Sequence, residues 1–167
     1  MNPVLKGIVR FFDVLYEVSV AFARILLIAM LLIISANVFM RYVLNSGISW
    51  SEEIALVLVG WFVFIGLPMG VRKKLHISLH LWRRSIPKLD MVLVRVSALA
   101  VITLGVILFV YGNRLIGFAA RSIMPVTELP SSLLYIILPL SSVLLVYEGI
   151  TDLLGYESDR EVEEEVE

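Results

Sequence analysis

The stretch RYVLNSGISWSEEIALVLVGW, residues 41–61, sets two adjacent carboxylates, Glu52 and Glu53, at the edge of an apolar run. A bare charge is costly in hydrocarbon, so these acids either mark a helix start at the bilayer edge or carry function. Ser49-Trp50-Ser51-Glu52 fits a capping box, in which Ser49 satisfies a first-turn N–H and Glu52 reaches back to the Ser49 N–H. Both acids also lie at the positive end of the helix dipole, worth ~0.3–1 kcal/mol to an anion. Capping does not need Glu53. Consecutive helix residues point about 100° apart, so one acid is expected to pair with Arg41 and the other to face a protein partner.

His76 and His80 are four residues apart, a spacing that could suit a metal on a helix. Neither an HExxH motif nor a cysteine accompanies them, and Asp90 is the nearest third ligand. A zinc site needs three or more protein ligands, so these histidines are expected on a basic membrane surface and no metal or other cofactor is expected. Phosphate-binding and nucleophile-elbow motifs are missing too, and nothing assembles a nucleophile, base and metal, so no enzyme is expected.

The elements that must position these groups are apolar. The chain has 167 residues, 59% of them hydrophobic, with mean hydropathy +0.92, against ~45–50% apolar residues in ordinary soluble domains. The excess is clustered into spans over residues 18–40, 53–71, 91–112 and 131–153. Each approaches the ~20 residues a helix needs to cross a bilayer. Lipid offers the backbone no hydrogen-bond partners, which favours helices. The fold expected is all-α integral membrane: one four-helix domain over 1–155, then an acidic, disordered cytoplasmic tail over 156–167. Residues 1–17 have the pattern of an interfacial amphipathic helix, and 73–88 of a second cytoplasmic interfacial arm. Net charge is −1, without a nucleic-acid footprint, and no cleavable signal peptide is expected.

Lys6, Arg10, Arg72, Lys73, Lys74, Arg83, Arg84, Lys88 and Arg160 fall on one side of this layout, against Arg41, Arg114 and Arg121 on the other. Both termini are therefore expected in the cytoplasm. Arg24, Arg95 and Glu148 should then share one depth near the inner surface. Glu148 is expected to pair with Arg95 or Arg24, the alternative being that both arginines snorkel to lipid phosphates. Pro139 is expected to kink the last span and Pro68 the second. The middles of the spans are apolar, which makes a poor ion path and a good scaffold.

Residues 41–81 resemble the small membrane subunit, DctQ type, of tripartite ATP-independent periplasmic (TRAP) transporters. The resemblance rests on Arg41-Tyr42 closing one helix and Trp50 with Glu52-Glu53 opening the next. Trp61 and Gly66 follow within that helix, then a basic turn with Arg72 and His76. Pro130 and Pro139 are similar to the family's proline-bearing entry into the last helix. Ser78 and His80 stand where the family often carries an acid. The resemblance implies a subunit in the cytoplasmic (inner) membrane of a prokaryote. Its partners would be a large multispanning subunit holding the sodium and substrate sites, an extracytoplasmic substrate-binding protein, and membrane lipids. The nine residues named would serve subunit contact or docking, and the cargo would be an organic acid. A second reading is a four-helix anchor or accessory subunit of an unrelated transporter or respiratory complex.

Overall fold

The computed structural model describes residues 3–73 and 87–154. The expected tail over 156–167, and residues 74–86 of the 73–88 arm with His76 and His80, lie outside them. Among the described residues the chain is helical, with four helices long and apolar enough to cross a membrane. This is a multi-pass membrane protein.

Helix α1, Pro3–Val43, is one uninterrupted helix. The amphipathic segment and the first span are continuous because neither proline nor glycine falls between Gly7 and Gly47. Beyond α1, Asn45 turns the chain in the left-handed region at φ 51°, which asparagine tolerates better than most residues. Helix α2, Ser51–Arg72, contains Pro68, which is buried. Helix α3 is Pro87–Ala119. A 3-10 turn, Ser131–Leu134, precedes α4, Ile137–Leu154. Together they make the last apolar stretch, Ser131–Leu154, close to the span expected, with the α-helix beginning only at Ile137. Pro139 stands in the first turn of α4, where its missing N–H would have had no acceptor within the helix.

The main packing runs from α1 to α2, from α2 to α4, and from α4 to α3. Ala23 and Leu26 of α1, Ile65 of α2, and Ile137 and Leu138 of α4 form the buried core, with Trp61 and Leu108 against it. The α3–α4 contact uses small residues. Ala98, Gly105, Gly112 and Ala119 recur at every seventh position of α3 and are all buried, the repeat that holds one helix face against a neighbour. A Cβ on Gly105 would lie 2.6 Å from Val146 Cγ2, and one on Gly112 would lie 2.8 Å from Leu138 Cβ. Gly149 answers from α4, where a Cβ would lie 2.8 Å from Ile102 Cγ1. Without a hydrophobic driving force between helices in lipid, such close backbone approach is what holds them together.

Candidate functional site

Two polar clusters sit at opposite ends of α2. At its first turn, Arg41 Nη2 donates to Glu52 Oε1 at 2.6 Å, with both side chains largely exposed. Asn37, buried on α1, accepts the Ile48 N–H at 2.8 Å, and the Ser51 hydroxyl donates to the Ile48 carbonyl at 2.7 Å. The connection between α1 and α2 is therefore pinned from both helices. The capping box over Ser49 and Glu52 does not form. Trp50 occupies the N-cap position in a helical conformation, without a side-chain cap bond, whereas a cap of that kind needs an extended residue there. Glu52 instead meets a guanidinium, a stronger partner than a neutral amide.

Glu53 does not project towards an outside partner through a free carboxylate. It accepts N–H bonds from Val126 at 2.9 Å and Thr127 at 2.8 Å, and the Thr127 hydroxyl at 2.6 Å. The loop it holds, residues 120–130, is folded back on itself. Met124 N–H donates to the Leu129 carbonyl at 2.8 Å and Ser131 N–H to the Ser122 carbonyl at 2.9 Å, and Glu128 adopts φ 56° to close the turn. A second tie runs from the middle of α2, where Trp61 Nε1 donates to the Leu133 carbonyl at 2.8 Å. The two acids thus fasten the ends of two different connections.

At the last turn of α2, Arg72 joins three helices. Its Nη2 donates to Asp13 Oδ1 of α1 at 2.8 Å, and its Nη1 lies 3.6 Å from Glu148 Oε1 of α4. The guanidinium stacks 4.0 Å above the Tyr16 ring. Beside it Phe12 of α1 and Tyr147 of α4 stack in parallel at 3.8 Å. The Glu148 side chain is only 2% exposed, so burial demands a cation nearby. Among the described residues that cation is Arg72 rather than Arg24 or Arg95, both of which are exposed. The expected shared depth fails for Arg24, which stands eleven residues beyond the α1 residue that reaches Arg72. The carboxylate level is met by Asp13, and Arg24 lies further along the helix.

The remaining residues divide. Tyr42 and Trp50 are exposed, and Gly66 has open space where a Cβ would sit. His76 lies outside the described residues. Asp13, Tyr16 and Thr127 were missed by sequence reasoning. Asp13 and Tyr16 carried a signal, three residues apart on the amphipathic stretch, whereas Thr127 in a loop carried none. No group of three or more potential metal ligands converges among the described residues.

The clusters lock helices and loops together at the two ends of α2. Residues 30–156 match the family described as Tripartite ATP-independent periplasmic transporters, DctQ component. The chain belongs to the DctQ family. A C4-dicarboxylate TRAP transporter small permease protein DctQ of Vibrio cholerae is 36% identical over 69 residues, covering 41% of this chain and 28% of that protein. Two TRAP transporter small permease proteins of Haemophilus influenzae are each 25% identical. One match covers 70% of this chain and 72% of the relative, and the other 78% and 81%. This DctQ-family chain therefore spans little more than a quarter of the first relative and most of the other two.

Proposed function

We propose that this subunit braces a large multispanning transport subunit and helps dock an extracytoplasmic substrate-binding protein, for sodium-coupled uptake of an organic acid. It performs no catalysis. The observation that carries the reading is the pair of polar clusters at the two ends of α2, which fix all four helices relative to one another. A partner that moves substrate across the bilayer needs something that does not move, and a four-helix unit tied at both ends supplies it.

With both termini in the cytoplasm, the Arg72 cluster lies at the inner surface and the Glu52 and Glu53 ties at the outer one. The loop over 120–130 then forms a preshaped rim on the side from which a binding protein arrives. Arg41, Tyr42, Trp50, Glu52 and the Glu53-held loop form the docking edge. Wide apolar faces on α1 and α3, with Leu32 66% and Phe118 83% exposed, are left for lipid and for the large subunit.

The test is co-purification. Extraction of the tagged chain from its native membrane in mild detergent should bring down one very apolar protein in fixed ratio, and the binding protein on addition of its substrate. Recovery of the chain alone, from a membrane in which the large protein is present, contradicts the reading.

A further inference from the structure

Arg24 is a charge in an awkward place. At about 1.5 Å per residue it stands some 16 Å along α1 from Asp13, at the Arg72 end, and some 26 Å from Arg41, at the Glu52 end. Phe22, two residues earlier, packs edge-to-face on Trp61 with ring centroids 6.2 Å apart, and Trp61 is at the middle of α2. Arg24 therefore leaves the helix well inside the hydrocarbon. It is exposed, and among the described residues no carboxylate lies within ion-pair distance of it. Its neighbours Ala23 and Leu26 are the ones that face the core.

Arg24 belongs to a stripe. Arg10, Glu17 and Arg24 stand at seven-residue spacing on α1, each followed four residues on by Val14, Ala21 and Ile28, and all six are exposed. A seven-residue repeat keeps a straight seam along a helix with little drift. The buried α3–α4 contact of this same chain is built on that repeat. Within the α1 seam, Ala21 permits close approach just below Arg24.

We propose that this α1 seam seats one transmembrane helix of the large transport subunit, which presents a carboxylate opposite Arg24. The inference rests on the bracing role given above and adds which face makes the contact. Charge complementarity selects the occupant, because intramembrane charges pair with one another or face protein rather than lipid. Snorkelling to phosphate is the competing fate, and the distance to the Arg72 end works against it.

The chain has no cysteines, so single cysteines carrying a thiol-directed benzophenone can be placed at Ala21 and Ile28 on the seam, and at exposed Leu99 on α3 for comparison. In the assembled transporter, irradiation should join positions 21 and 28 to the large subunit in clear excess over position 99. Arg24→Glu should lower the co-purified large subunit by about tenfold or more, and Arg24→Lys should retain it within about twofold. Labelling of phospholipid alone from the seam overturns the proposal, as does an Arg24→Glu complex recovered at the wild-type level, and the bracing role survives both. If Arg24→Glu fails to fold, the seam probes in the Arg24 background still decide. A wild-type chain that carries no large subunit overturns the bracing role and this inference together.

Discussion

Glu53 and Thr127 stand 74 residues apart in the chain and share two hydrogen bonds through one carboxylate oxygen, from the Thr127 amide at 2.8 Å and its hydroxyl at 2.6 Å. The contact ties the start of α2 to the connection between α3 and α4. Glu53→Ala should free that loop, and amide exchange at Val126 and Thr127 should accelerate by about tenfold or more, since a charged acceptor of several bonds is lost. Uptake through the assembled transporter should fall with substrate preference unchanged. Protection at 126–127 equal to the wild type would show that the loop holds itself.

The Arg72 cluster predicts an order of costs. Glu148→Ala leaves a guanidinium beside a buried gap and should cost about 3–5 kcal/mol, as removal of one partner of a buried pair does. The Asp13 side chain is 36% exposed, so Asp13→Asn should cost at most about 1 kcal/mol. Thermal unfolding in a fixed detergent would rank the two, and a larger loss from Asp13→Asn would reverse the account of which helix the arginine holds.

Arg41 and Glu52 form an exposed pair. Either single alanine should cost less than about 1 kcal/mol, and the effect should shrink in high salt. Exchanging the two residues, Arg41→Glu with Glu52→Arg, should recover most of what either single reversal loses. A double exchange no better than the singles would mean that each residue acts on a separate partner.

Gly105→Leu should force α3 away from Val146 of α4, and overpacking of this kind costs about 1–3 kcal/mol. Position 117, where a Cβ meets nothing within 4 Å, is the matched control, and Gly117→Leu should leave the melting temperature nearly unchanged. Equal losses at the two positions would argue against the small-residue seam.

The helices were legible because hydropathy and length dictate them, and positions such as Arg41 and Glu52 because they flank a short connection. The Ala98, Gly105, Gly112, Ala119 repeat was missed, because small residues at seven-residue spacing show nothing of which helix they face until the packing is known. What the sequence did not carry was depth. Which cation meets Glu148 depends on how α1, α2 and α3 each register against α4, and that is set by packing such as that of Ala23 and Leu26 on Ile65 and Ile137. The failed cap at Ser49 has a similar origin. Its motif is local, while the conformation of Trp50 is fixed by the turn that Asn37 and Ser51 pin through Ile48. Thr127 was out of reach because its partner lies in a distant helix.

Uptake into liposomes under a sodium gradient tests the central claim most directly. The large subunit and binding protein should accumulate substrate when this chain is included and lose that activity when it is left out, and the chain by itself should accumulate none. Solute accumulated by this chain alone would contradict the account.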